Sequence, residues 1–164
     1  MTRTLYLLRH ADCEPTAPGK ADHLRGLTDD GNRQVENLVS KLTPRKLKID
    51  AVYSSPAKRA RQTAEGIIKG LGLKLKIVTD DRLYNATPQK LLEVTSQLPD
   101  ELTHVLVVGH NPGLPGFVTL IANTPVESMP TAAWVNMGVS VDQWAELGPG
   151  KAEIVRQDVG TYAR

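Results

Sequence analysis

A single cysteine, Cys13, stands in 164 residues, so no internal disulfide can form and a reducing compartment suits the chain. No apolar stretch approaches the ~20 residues of a membrane span. The amino end offers only Leu5 to Leu8 before Arg9, too short a run for a signal-peptide core. These absences predict a cytoplasmic protein. An excess of charge is missing too: 20 Lys and Arg face 18 Asp and Glu, so no strong field selects nucleic acid. Any anion specificity must come from a few placed arginines.

Several catalytic signatures are also absent. There is no Gly-x-x-x-x-Gly-Lys-Ser/Thr loop for nucleotide phosphates and no Gly-x-Gly-x-x-Gly for a dinucleotide. No Gly-x-Ser-x-Gly elbow and no Asp-x-Asp occur, against a serine hydrolase and an aspartyl-phosphate phosphatase. Gly19 stands six positions after Cys13, where a cysteine phosphatase loop needs arginine. The four histidines lack metal-ligand spacing, so no metal and no cofactor are expected. Cys13, His23 and His104 are read as incidental or structural.

What is present repeats one arrangement of strand, polar turn and helix. The run Leu5-Tyr6-Leu7-Leu8 ends abruptly in Arg9 and His10, as a buried parallel strand would, with both polar residues at its carboxyl end. Asp12 to Leu27 is a polar loop carrying Arg25, which composition alone would also allow as a solvated surface residue. Thr28 caps a helix with Val35, Leu38, Val39 and Leu42 on one face. Ile49 to Tyr53 forms the next strand, and Ser55 and Pro56 open a helix that puts Arg59 in its first turn, a natural anion site. Leu73 to Val78 alternates as a strand, and Thr87-Pro88 opens a third helix. His104 to Val108 is a strand that breaks at Gly109-His110-Asn111-Pro112-Gly113 before a fourth helix. Ala133 to Val141 alternates like a half-buried strand, antiparallel at an edge, and Ala152 to Val155 adds another. Trp134 and Trp144 are packing residues. No linker or repeat interrupts the chain, so one α/β domain is expected.

Two arginines and two histidines thus collect at strand ends and helix starts, with Arg25 nearby. Guanidinium groups bind phosphate oxygens bidentately and keep their charge. A phosphoryl group in transfer spreads charge over its equatorial oxygens, which the protein must hold and neutralise. An imidazole with an unprotonated nitrogen is a competent nucleophile. The set suits metal-free phosphoryl transfer.

On these residues the chain resembles the histidine phosphatase superfamily. Leu8-Arg9-His10-Ala11 resembles its Arg-His-Gly signature, with alanine in place of glycine; Ser54 to Ala64 resembles its second motif, and Val108 to Gly113 its third. The segments Arg25 to Gly31 and Asp81 to Tyr84, with the short length, are most similar to the SixA branch of phosphohistidine phosphatases. The resemblance implies a three-layer, phosphoglycerate mutase-like domain over residues 1–164, a mostly parallel sheet with helices on both faces. It implies His10 as nucleophile, Arg9, Arg59 and His110 lining the phosphate pocket, and Arg25 assisting from the loop. Its substrate would carry phosphate, such as a histidine-phosphorylated signalling protein.

One departure bears on the substrate. Mutase-like members carry a glutamate after the third strand that protonates the leaving group, and the comparable place here is Asn85. An alkoxide needs that proton badly, whereas an imidazole, with a conjugate acid near pKa 6.5, needs it much less. Without a committed acid the site favours phosphoramidates over phosphate monoesters. A broad phosphomonoesterase for small metabolites and a non-catalytic phosphate-binding module are the competing expectations; retention of both histidines disfavours the module. Tungstate or sulfate soaked into a crystal is expected between the guanidiniums of Arg9 and Arg59 at the sheet's carboxyl edge. An anion bound elsewhere would contradict that placement.

Overall fold

The strand β1 (Arg3–Arg9) is apolar on both faces because both faces are covered. In the computed structural model, which describes residues 2–160, it lies inside a six-stranded sheet of order β3-β2-β4-β1-β5-β6. Its parallel neighbour is β4 (His104–Gly109) and its antiparallel neighbour is β5 (Ala133–Val139). β2 (Ala51–Ser54) runs parallel to β4, and β3 (Ile77–Thr79) and β6 (Ala152–Val159) form the edges.

Alternate residues of β1 face opposite layers. Tyr6 and Leu8 pack with Val35, Leu38, Ala64 and Ile67, on α1 (Asp29–Leu42) and α2 (Lys58–Gly70). Leu5 and Leu7 pack with Leu91, Val94, Leu114 and Phe117, on α3 (Pro88–Ser96) and α4 (Gly113–Ala122). Leu5, Leu7 and Leu8 are all wholly buried, each worth roughly 1.5–3 kcal/mol, so the strand ending in Arg9 and His10 is anchored on both sides. The expected three-layer α/β architecture is present. Among the described residues no helix is long and apolar enough to cross a membrane.

Local signals explain two of the four α-helix starts. Thr28 Oγ1 accepts from the Gly31 amide at 3.0 Å, and Thr87 Oγ1 from that of Lys90 at 3.1 Å, as side-chain caps should. Trp134 and Trp144 are fully buried packing residues.

Three expectations are corrected. Ser55 is not the N-cap of α2: the helix starts at Lys58 behind Ala57, and the buried Ser55 hydroxyl accepts from the Ala57 amide at 3.2 Å and from the His110 ring. Of the Leu73 to Val78 segment only Ile77 and Val78 are strand, continued by Thr79; the sole partner β2 is four residues long, and Leu73 and Leu75 pack against the α1–α2 layer instead. β5 is antiparallel as expected but not an edge, since β6 extends to Val159 and covers it.

Gly31 marks a close approach between α1 and the segment after His10. A Cβ there would lie 2.1 Å from the Asp12 carbonyl oxygen, a backbone atom that cannot swing aside. Gly31→Ala is expected to destabilise by about 1–3 kcal/mol in urea unfolding. Gly148→Ala, whose new methyl meets nothing within 4 Å, should stay within about 0.5 kcal/mol. Equal stability of the two variants would refute the steric account.

Candidate active site

Sheet register brings the predicted residues together. Arg9 lies opposite Gly109 in the parallel β1–β4 ladder, and the His10 amide donates to the Gly109 carbonyl at 3.1 Å. His10 and His110, each one residue beyond its strand, therefore stand side by side, their ring centroids 5.3 Å apart. Ser54 lies opposite Val108 on the other side of β4, which sets the start of α2 and Arg59 beside the histidines. The chain leaves β1 towards the α1–α2 layer and leaves β4 towards the α3–α4 layer, so a crevice opens between them. The cleft, of about 260 Å³, is lined by Arg9, His10, Arg25, Arg59 and His110. A larger groove of about 580 Å³ between α1 and α2 holds no histidine or arginine.

The two imidazoles are held as different tautomers. His10 Nδ1 lies 2.8 Å from its neighbour's carbonyl, Ala11 O, which can only accept, so Nδ1 carries the proton and Nε2 keeps its lone pair. His110 faces a guanidinium: Arg59 Nη2 lies 3.4 Å from its Nδ1 and can only donate. Its proton therefore sits on Nε2 and is donated to Ser55 Oγ at 2.7 Å. Burial, with the nearby guanidiniums, lowers the pKa of His10 to about 4 and of His110 to about 3. Both rings are neutral at neutral pH.

The arginines are held by backbone carbonyls. Arg9 Nη1 donates to Met129 O at 3.0 Å, and Arg59 Nη1 to Asp22 O at 2.9 Å. Arg25 reaches the cleft because the long loop is pinned at its base: Glu14 donates its amide to Gly26 O at 2.9 Å, and Thr28 to Asp12 O at 3.1 Å. Arg25 Nη1 donates to Glu14 O at 2.8 Å. An anion entering here meets three cations and no like charge except Asp22, which lies on the same loop.

A neutral imidazole with a free lone pair, in one cleft with fixed guanidiniums at a strand end, can support covalent phosphoryl transfer. The model of the histidine phosphatase superfamily (branch 1) matches residues 5–87, more than half the chain. The chain belongs to the histidine phosphatase superfamily. An uncharacterised protein of Mycobacterium tuberculosis is 31% identical, the match covering 90% of this chain and 96% of that one. A structure assigned as the phosphohistidine phosphatase SixA from Agrobacterium tumefaciens superposes with a TM-score of 0.80 at 25% identity, over 94% and 96% of the two chains. The fold is shared as well with a mycobacterial glucosyl-3-phosphoglycerate phosphatase, TM-score 0.70 at 14% identity, over 94% and 98%. The chain is a phosphatase with SixA-like architecture.

Four polar residues of this histidine phosphatase escaped the sequence reading. Asp22 accepts from Arg25 (Nε 3.0 Å, Nη2 2.6 Å), from Arg59 Nη2 at 3.1 Å and from the Tyr84 hydroxyl. The Tyr84 bond, then the arginines, hold its carboxyl far below the usual carboxylate range. Its three-residue spacing from Arg25 was the available signal. Thr63 joins β1 to α2: Oγ1 accepts from the Ala11 amide at 3.0 Å and donates to Arg59 O at 2.8 Å. A polar residue among the apolar stripe of α2 could have been noticed. The sequence marks Ser55 only as opening a helix and Tyr84 only within the Asp81 to Tyr84 segment, neither as a site residue. Of the residues set aside, Cys13 and Asn85 line the cleft, whereas His104 joins Asp50 and Thr103 at the opposite end of the sheet.

The depressed imidazole pKa values have a pH consequence. Between pH 6.5 and about 4 the unfolded chain binds protons at these histidines that the folded protein refuses, so stability falls as pH drops through that window. Ring resonances of His10 are expected to titrate near pH 4, and those of His110 no higher. A midpoint near 6.5 for either would contradict their burial.

Proposed function

We propose that this phosphatase works by attack of His10 Nε2 on phosphorus, forming a transient phosphohistidine, and that its substrate is phosphohistidine on another protein. The fixed tautomer of His10 carries this reading. With Nδ1–H committed to Ala11 O, the lone pair of Nε2 is available without prior deprotonation. Arg9, Arg59 and Arg25 hold the phosphoryl oxygens, and His110 lies against the same group from β4. Burial first, then the guanidiniums, keeps His110 neutral, and a bound phosphate dianion offsets the guanidinium part. Water then cleaves the enzyme's N–P bond and phosphate departs. The lone thiol of Cys13 supports a cytoplasmic setting.

Leaving-group chemistry supports the nitrogen substrate. Asn85, at the mouth, is an amide with no acidic proton, and Asp22 is ionised. Neither can protonate a departing alkoxide. An imidazole departs as a neutral molecule when its other nitrogen already carries a proton. A sugar or other small metabolite phosphate is the second reading, favoured by the glucosyl-3-phosphoglycerate phosphatase likeness.

Turnover of a phosphohistidine peptide, a phosphoserine peptide and sugar phosphates separates the two. Phosphohistidine is expected to be fastest; equal or faster rates on unactivated alkyl esters would favour the second reading. Mid-reaction quenching should trap an acid-labile, base-stable phosphoryl group on His10. His10→Ala should abolish both label and turnover, and a variant that keeps wild-type turnover would remove the nucleophile. Arg59→Ala should cost about 10²–10³ in kcat through lost charge stabilisation.

A further inference from the structure

Asp22 is an acidic side chain lining an anion-binding cleft, and the reaction above gives it no task. A carboxylate beside a phosphate opposes binding, so its presence calls for a reason. Geometry supplies one. His10, only 6% exposed, lies on the cleft floor, whereas the Asp22 side chain is 37% exposed on the loop at the mouth. Attack in line from the floor points the breaking bond towards the mouth, where Asp22 stands. Its oxygens have named partners: Arg25 on Oδ1, and Arg59 and Tyr84 on Oδ2. A phosphoryl group that draws N–H donors of Arg25 and Arg59 onto itself frees acceptor capacity on the carboxylate.

We infer that Asp22 determines specificity: its carboxylate accepts a hydrogen bond from the protonated ring nitrogen of an N-phosphorylated imidazolium and selects that leaving group over phosphate esters. The inference rests on the proposed reaction at His10 and deepens it. The substrate ring enters with phosphorus on one nitrogen and a proton on the other. His10 Nε2 forms a new N–P bond as the old P–N bond breaks, its electron pair remaining on the departing nitrogen. The proton stays on the other nitrogen, hydrogen-bonded to Asp22, so neutral imidazole leaves with no proton transferred. Water next adds to phosphorus, the electron pair returns to His10 Nε2, and hydrogen phosphate is released with one proton to solvent. An ester meets the opposite situation, because an ionised carboxylate has no proton to give and repels the charge growing on oxygen. Selection therefore comes from a repulsive element as much as from an attractive one.

The test compares kcat/KM on a phosphohistidine peptide and on p-nitrophenyl phosphate, whose phenolate leaves without a proton, for wild type, Asp22→Asn and Asp22→Glu. Loosened arginines should slow both reactions of Asp22→Asn, but the phosphohistidine reaction should fall at least about tenfold further. Asp22→Glu, which keeps the charge, should restore most of the preference. Equal losses on both substrates would overturn the inference, leaving Asp22 as a brace for the arginines. A second readout needs no variant. Near about pH 6, below the imidazole pKa of ~6.5, the wild type should cleave N-phosphorylated imidazole at least about tenfold faster than its ring-N-methyl cation, which keeps the charge but lacks the N–H. Equal rates would also overturn it. A wild type that cleaves the nitrophenyl ester but not the phosphohistidine peptide would instead remove the phosphohistidine reading, before any variant is compared.

Discussion

The parallel pairing of β1 with β4 is the constraint from which the rest of the site follows. Because Arg9 sits opposite Gly109, both strands end at the same level, and the residue after each is a histidine. A one-residue slip would turn every β1 side chain to the other face, exchanging Leu5 and Leu7 for Tyr6 and Leu8 against the wrong helices. The hydrophobic core therefore enforces the alignment of the imidazoles. The switch of chain direction between these strands then leaves their ends uncovered, so the best-anchored part of the fold ends in an open cleft.

Electrostatics in that cleft is a balance among few groups. Three guanidiniums make a strong anion trap, and, after burial, the larger cause, they add to the suppression of imidazole protonation. Suppression suits the role proposed for His10, in which Nε2 keeps its lone pair. Asp22 partly offsets the cations and is itself held ionised by Tyr84, Arg25 and Arg59. Each member thus fixes the protonation state of another, and a phosphate dianion entering the group shifts the balance for all of them.

The loop from Asp12 to Leu27 is ordered by its base. The Cys13–Leu27 bridge and the Glu14 and Thr28 amide bonds close it, so an excursion of polar residues returns to a fixed point before α1. Gly31 lets the helix approach the Asp12 carbonyl, and Thr63 joins Ala11 to α2 from the other side. Arg25 and Asp22 consequently reach the cleft on a loop that carries few apolar anchors of its own.

Periodicity and punctuation in the chain determined the elements and which residues end them. The apolar run before Arg9, the Thr28 and Thr87 caps and the break at Gly109-His110 depend on neighbours a few residues away. Arg9, His10, Arg59 and His110 were legible for that reason, being fixed by their places at strand ends and a helix start. Asp22, Ser55, Thr63 and Tyr84 were not, because each acts on a partner remote in the chain, from 37 residues between Asp22 and Arg59 to 62 between Asp22 and Tyr84. The extent of β3 and the inner position of β5 likewise depended on which strand lay alongside. Local pattern selects an element, but hydrogen-bond partners and protonation states belong to groups that meet only when the sheet has closed.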